Sequence, residues 1–338
     1  MIELNELRDA AQKAFPADQL SPDRDESWSL AAEMGWLMMR LPEELGGLGF
    51  GRAESTAIHF EMGRVLSRAP LIPAQLGLHA MLASHQLGDR EDWLERVAGG
   101  EYVPLNMLPG DVSEDGGAFS GTVSGLFEAD MARHVIVGVP GAYLLVPLEA
   151  AGVSLTEREI WDPSRRLFDL ELSDYTPAEG TVLARGDGAK TIHDAIAPEA
   201  HLCVAADSLG AATATLDMSV EYMNMRKQFD RPIAMFQALK HRAADCKTKI
   251  VAADALLWSL VADEDAPTVQ FGAMKAHATE VFQWVTEEAI QFHGGIGLTE
   301  EHQCHLFMKR AMLNLQLCGT VDHWMEQAGR AAMERFAA

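Results

Sequence analysis

The chain has 338 residues, 48% of them apolar, and sets 27 Lys plus Arg against 50 Asp plus Glu, a formal net charge of -23. That length allows two or three domains and a sizeable core, while the acid excess argues against DNA or RNA as a partner, which needs a cationic face. No stretch reaches the roughly 20 apolar residues of a membrane span, and the opening MIELNELRDAAQKAF is charged throughout, so no secretory signal is expected.

Three textures follow one another along the chain. Residues 1–100 read as a helical domain. Trp28 to Met39 is apolar at helical spacing, LPEELGGLGFG then breaks the pattern, and Glu54–Leu66 and Ala74–Leu87 predict two more helices. Residues 101–185 read as a small antiparallel β domain. The runs HVIVGV, AYLLVPL, GVSLTER, LFDLELSD and GTVLA, parted by Gly, Pro and Asp, predict short strands. Asp111, Glu114 and Asp115 read as a solvated turn. Residues 186–338 are helical again. Leu209, Ala212, Leu216, Val220 and Met223 form one apolar stripe, and Asp230-Arg231-Pro232 interrupts it. Phe236 to Leu260 and Met274 to Phe292 carry two further stripes, HGGIGL breaks the second, and Leu306–Leu317 and Val321–Met333 follow as further helices; four long amphipathic helices with short joints read as a four-helix bundle. The fold class is therefore α+β: helical domain, small β domain, helical bundle.

Four cysteines, Cys203, Cys246, Cys304 and Cys318, are widely spaced and lack a metal-ligand pattern. They point to reduced thiols and a cytoplasmic location. His293, His302 and His305 cluster near a glycine pair, but no convincing third ligand type accompanies them, and no metal site is expected. The Met-rich patch Met218, Met223, Met225 and Met235 reads as core filler.

Two segments carry the most chemistry. MRKQFDRPIAMFQALKHRAADC, from Met225 to Cys246, puts Arg226 at a helix end, an aromatic three residues on, a Pro break, and then Phe236-Gln237. AIQFHGGIGLTEEHQCHLFMKRA, from Ala289 to Ala311, sets Gly294 and Gly295 between two helices, where a ligand has close access to the backbone. Both segments resemble the C-terminal bundle of flavin-dependent acyl-CoA dehydrogenases. LAAEMGWLMMRLPEELGGLGFGRAESTAIHFEMGRVLSRAPL is similar to that family's first domain, and WDPSRRLFDLELSD to the second half of its β domain.

The resemblance implies FAD as cofactor, an acyl-CoA substrate, and an electron-transfer flavoprotein or similar acceptor. It also implies that Arg226, Gln228, Phe229, Ile233, Phe236, Gln237, Gln291, Gly294 and Gly295 hold the ADP part of a neighbouring subunit's FAD. An Arg pairing bidentately with a pyrophosphate agrees with that role.

Two departures stand out. Most family members place a catalytic glutamate directly before a Gly-Thr near the end of the bundle; here LNLQLCGT puts Cys318 there. A thiol with a reference pKa of about 8.5 is mostly protonated near neutral pH and is a poor base. A second group keeps its glutamate on the helix leading to the Arg motif; that position is Ala200. Glu199 is the nearest acid, one residue and about 100° out of phase, and reads as a helix N-terminal carboxylate after Pro198. The family's Thr-Glu-Pro and Trp-Ile-Thr segments around the flavin ring are also absent.

The resemblance therefore implies a short subunit whose homologous partner supplies the glutamate in an α2β2 heterotetramer. The smaller subunits of steroid side-chain acyl-CoA dehydrogenases are similar. Three rivals remain open at this level: a self-sufficient enzyme using Glu199, a flavin monooxygenase on the same fold, and a scaffold subunit without flavin.

Overall fold

The computed structural model describes residues 3–337. Five helices come first: α1 (Leu4–Ala14), α2 (Arg24–Glu33), α3 (Arg52–Arg64), α4 (Leu71–Ala83) and α5 (Arg90–Ala98). Asp23 starts α2 by accepting hydrogen bonds from the Asp25 and Glu26 amides at 2.9 and 3.1 Å, an N-cap that satisfies two otherwise unpaired donors. The helix expected over Trp28–Met39 stops at Glu33. Gly35 turns left-handed at φ +73, and the Trp36 amide bonds back to the Ala31 carbonyl at 3.0 Å, a helix-ending turn that favours glycine. The tight turn drops Trp36, Leu37 and Met39 into the core instead.

Seven strands then form two antiparallel sheets. One has the order β1-β2-β6-β5 with β1 (Asp111–Asp115), β2 (Ala118–Phe127), β5 (Val153–Arg158) and β6 (Leu167–Tyr175). The other has the order β3-β4-β7 with β3 (His134–Val139), β4 (Ala142–Pro147) and β7 (Val182–Arg185). Asp111, Glu114 and Asp115 are thus strand residues, not a turn. They pair with Thr122, Phe119 and Ala118 on β2, and as an outer strand β1 keeps its charges in water.

The C-terminal part begins with α6 (Asp187–Met225), a 39-residue helix. A two-stranded hairpin, β8 (Lys227–Gln228) and β9 (Arg231–Pro232), leads to α7 (Gln237–Val261), α8 (Thr268–His293), α9 (Cys304–Asn314) and α10 (Val321–Ala337). The predicted stripes on α7 and α8 are the buried faces: Cys246, Ile250, Ala253 and Leu257 on one, Met274, Ala278, Val281, Val285, Ala289 and Phe292 on the other. Val220 departs from its stripe and is exposed. Met225 and Met235 are likewise exposed rather than core. Among the described residues no helix is long and apolar enough to cross a membrane.

Buried polar groups lock the C-terminal helices to the β domain. Arg310 of α9 donates to Asp162 at 2.8 Å and to Ser164 at 2.6 Å in the β5–β6 connection. It lies 3.5 Å from Asp207 of α6, which also accepts from Asn314 at 2.8 Å.

Candidate functional site

A cavity of about 650 Å³ opens where α6, the β domain and the α9–α10 connection meet. From α6 it takes His193, Ile196, Ala197, Ala200 and His201, whose spacing is that of one helix face. Opposite stand Leu76 of α4, the Leu105–Pro109 segment, Gly138, Tyr143, Cys318 and Trp324. Ala200 and Cys318, far apart in sequence, therefore line one cavity.

Specific bonds brace this wall. Asn106 accepts from the Gly138 amide at 2.8 Å and donates to the Leu108 carbonyl at 2.9 Å. The Cys318 amide donates to the Met107 carbonyl at 2.9 Å. Its own carbonyl accepts from the Trp324 indole at 2.8 Å and from the His201 Nε2–H at 3.3 Å. Lys275, fully buried on α8, donates to the carbonyls of Leu315 and Gly319 at 3.1 and 2.9 Å. These contacts hold Cys318 in the left-handed region at φ 54, a conformation that costs a non-glycine residue about 1–2 kcal/mol.

The wall carries no Asp, Glu, Lys or Arg side chain. Burial favours the uncharged form of three of its titratable groups. The Cys318 thiol is pushed up to about 11, although Lys275 pulls the other way. His201 is pushed down to about 3 by burial despite its bond to the Cys318 carbonyl. Burial, with the Asp194 charge adding to it, raises Tyr143 to about 12.

Glu199 faces elsewhere. It sits deep inside α6, not at a helix N-terminus, because α6 starts at Asp187 and runs through Pro198. Its carboxylate is 3% exposed and lies 3.4 Å from Arg40, which itself donates to the Phe50 carbonyl at 3.0 Å. The Cys203 thiol is 3.9 Å away. Glu199 thus ties the α2–α3 connection to α6 and is not part of the cavity wall.

The second predicted cluster lies at one end of the bundle. Tyr222 of α6 stacks on His293 of α8 at 4.4 Å between ring centroids, and its hydroxyl donates to the His293 carbonyl at 3.4 Å. Arg226 follows at the end of α6, its amide donating to the Tyr222 carbonyl at 2.8 Å, and the Gly294-Gly295 turn follows His293 at the end of α8. Gly294 has φ +65, and a Cβ at either glycine would meet nothing within 4 Å, so both backbones face open space. Arg226, Gln228, Gln237 and Gln291 are exposed.

Phe229, at the hairpin tip, is 84% exposed and left-handed at φ 52. For a bulky side chain that is an outlier. It meets Phe236 edge-on at 5.9 Å, over which Arg231 lies at 4.2 Å; Ile233 and Phe236 are half-buried. Arg64 and Arg242 on α3 and α7 pair with Asp217 and Glu288, but among the described residues no carboxylate pairs with Arg226, Lys227 or Arg231. An acidic chain thus keeps three cations without an ion-pair partner among the described residues on a segment that also exposes an aromatic face, which suits a phosphate-bearing aromatic ligand.

His302 lies 4.3 Å from His293 between ring centroids. Among the described residues no group of three or more His, Cys, Asp or Glu is arranged to hold a metal ion.

Residues 4–101 match the Acyl-CoA dehydrogenase, N-terminal domain family and residues 186–333 the Acyl-CoA dehydrogenase, C-terminal domain family. The chain is 35% identical to the acyl-CoA dehydrogenase IpdE2 of Mycobacterium tuberculosis over 297 residues, 87% of this chain and 82% of that protein. It belongs to the acyl-CoA dehydrogenase family. Two solved structures share the fold. A steroid acyl-CoA dehydrogenase variant named for Tcur3481 and Tcur3483 is 25% identical, with a TM-score of 0.85 over 99% of each chain. The ChsE4-ChsE5 complex of Mycobacterium tuberculosis is 23% identical, with a TM-score of 0.83 over 99% of this chain and 98% of that one.

FAD is the cofactor of this acyl-CoA dehydrogenase family, and the bundle-end cluster fits its ADP half: a planar cation for the pyrophosphate, open glycine backbone, and aromatic faces for adenine. Periodicity missed His201, Trp324, Lys275 and Asn106. They act through bonds between distant elements, and nothing in their local spacing announces that.

Proposed function

We propose that this chain is a subunit of an FAD-dependent acyl-CoA dehydrogenase that contributes the ADP-binding half of a neighbour's FAD site while a homologous partner supplies the catalytic glutamate. One observation carries the reading: Ala200 and Cys318 occupy both family base positions in a cavity wall without a carboxylate. Removing a proton α to a thioester needs a positioned carboxylate, and Glu199 is engaged with Arg40 instead.

Bound FAD would accept the hydride from the acyl Cβ and pass electrons to an electron-transfer flavoprotein or similar acceptor. This chain's own part is to fix the pyrophosphate with Arg226 and the Gly294-Gly295 amides, and the adenine with Phe229 and Phe236. The assembly we infer is an α2β2 heterotetramer working in the cytoplasm, with a bulky acyl-CoA such as a steroid side-chain thioester as substrate. Support comes from the paired names borne by the steroid enzyme structure and from four free cysteines.

Glu199→Gln and Cys318→Ala are each expected to change turnover of the assembled complex by less than about tenfold, below the roughly 10²–10⁴ of a general base. Steady-state kinetics with an artificial electron acceptor checks this. If Glu199→Gln abolished turnover at normal FAD content and native mass, the base would lie in this chain and the reading would fail. Expressed alone, the chain is expected to be flavin-poor, with co-expression of the partner restoring flavin. A yellow homotetramer of this chain alone, with one FAD per subunit, would contradict it.

A further inference from the structure

His302 is outside the set of residues expected to touch FAD, yet it closes the loop that carries Gly294 and Gly295. That loop leaves α8 at His293 and enters α9 at Cys304. Its two ends meet through their rings. His293 and His302 lie 4.3 Å apart between centroids, and Tyr222 of α6 lies 4.4 Å from the first and 6.0 Å from the second. The Tyr222 hydroxyl also donates to the His293 carbonyl, which belongs to the peptide group entering Gly294. Three rings thus fix both ends of the glycine turn.

Each imidazole is bonded in a way that requires it to be neutral. His293 is 4% exposed; its Nδ1–H donates to the Ala289 carbonyl at 2.7 Å, and its buried Nε2 has no partner. His302 carries its proton on the other nitrogen, because its Nδ1 accepts from the Cys304 amide at 3.2 Å. That amide is one of the donors at the start of α9 that the helix itself cannot satisfy, and Gln303 at the N-cap supplies no side-chain bond. A proton on the His302 Nδ1 would set two N–H groups against each other and place a cation at the positive end of the helix.

The titratable groups facing the pair are Tyr222 of α6 and His305 of α9, whose Nδ1–H donates to the His302 carbonyl at 2.8 Å. Among the described residues no carboxylate pairs with either ring, and Glu300 and Glu301 are exposed. Burial pushes both histidines down. His302 adds to this at His293, against the Ala289 bond, and His305 adds to it at His302.

We propose that neutral His302 is a positioning residue for the FAD site: it caps α9 and clamps the Gly294-Gly295 turn, and its protonation releases the turn and weakens FAD binding. This rests on the turn holding the ADP half of FAD. In the opened loop the imidazoles regain an ordinary pKa of about 6.5. Protons taken up there favour the open form, so the clamp is intact above about pH 6.5 and is lost as pH falls below it. One unit lower, each histidine can favour opening by at most about tenfold.

The test titrates the assembled, deflavinated complex with FAD by fluorescence at about pH 7.5 and about pH 5.5, either side of that value. The Kd of the native complex should rise by about five- to tenfold on acidification. His302→Ala should bind FAD weakly at both pH values. His302→Asn should rescue most of that loss, since Asn is a strong capping acceptor, and should shrink the acid effect because Asn does not titrate. Hydrogen exchange of residues 294–304 in the same samples, corrected for intrinsic rate, reads the clamp without the cofactor. It should quicken on acidification in the native complex and much less in His302→Asn. An acid effect on FAD affinity equal in native and His302→Asn complexes, or exchange that ignores pH, would overturn the proposal. So would tighter FAD binding at the lower pH that depends on His302, which would make the ring a phosphate ligand. If exchange follows the expected pattern but no FAD binds at either pH, the clamp stands and the assignment of the turn to FAD fails.

Discussion

Arg310→Leu is expected to lower stability by about 3–5 kcal/mol, the scale of breaking a buried ion pair from one side. Arg310 and Asp162 are each only 1% exposed, so neither Asp162 nor Asp207 can recruit water when the guanidinium goes. Against a typical total stability of about 5–15 kcal/mol, that loss should be plain in a denaturant or thermal melt. The pH dependence identifies the cause. In the native chain burial works to raise the Asp162 pKa, but the Arg310 charge and the Ser164 bonds hold it below the usual carboxylate range. A depressed folded value gives stability that is present above the unfolded pKa of about 3.9 and is lost as pH falls through the folded value. Without Arg310 only the Ser164 bonds still oppose burial, so the folded pKa should rise from its depressed value. The variant should therefore lose less stability than the native chain on acidification, and the gap between them should narrow as pH falls through the carboxylate range. A gap that stays constant from neutral pH down to about pH 3 would mean that lost packing, not an uncompensated carboxylate, sets the cost. Adding Asp162→Asn and Asp207→Asn should recover part of the loss near neutral pH.

The same network shows where sequence reading reaches its limit. The stripes on α7 and α8 were legible because a buried helix face repeats every three or four residues. The runs forming β3 to β7 were legible because turn residues bound them. The outer strand β1 was not, since DVSED is as charged as a loop, and edge strands are blunted in that way. Its neighbour β2 was hidden by Gly121 and Gly125. For the candidate site, Arg226, Gly294 and Cys318 stand out through motifs whose order along the chain is distinctive. Glu199 was placed one residue out of phase, which fits its turning away from the cavity, but its ion pair with Arg40 depends on how the α2–α3 connection folds over α6. The Arg310 network joins three elements that have no local relation. The neutral states of His201 and Cys318 likewise come from tertiary burial, which composition does not disclose.

At the bundle end, Arg226→Ala is expected to weaken FAD binding by the assembled complex while leaving the fold intact. The side chain is exposed and makes no ion pair among the described residues, so its removal disturbs no packing. A hydrogen bond to a charged group is worth about 1.5–3 kcal/mol, which is roughly 10–150-fold in Kd for each bond lost. Fluorescence titration of the deflavinated complex reads this directly, with a thermal melt of the same samples as the control for folding. Arg226→Lys should restore only part of the affinity, since Lys keeps the charge but not the planar fork.

Phe229→Gly gives the complementary result. The left-handed backbone at Phe229 costs about 1–2 kcal/mol for a side-chain-bearing residue. Glycine relieves that strain but costs about 0.5–1 kcal/mol of unfolded-chain entropy, so stability should stay level or rise slightly. Loss of a stacking face, worth about 1–3 kcal/mol per base, should meanwhile lower FAD affinity. Opposite movements of stability and affinity at one residue are what a strained ligand contact requires. If Phe229→Gly left FAD affinity unchanged, or if it lowered stability and affinity together, the exposed ring would be an ordinary hairpin residue or a subunit contact, and the adenine would be held elsewhere.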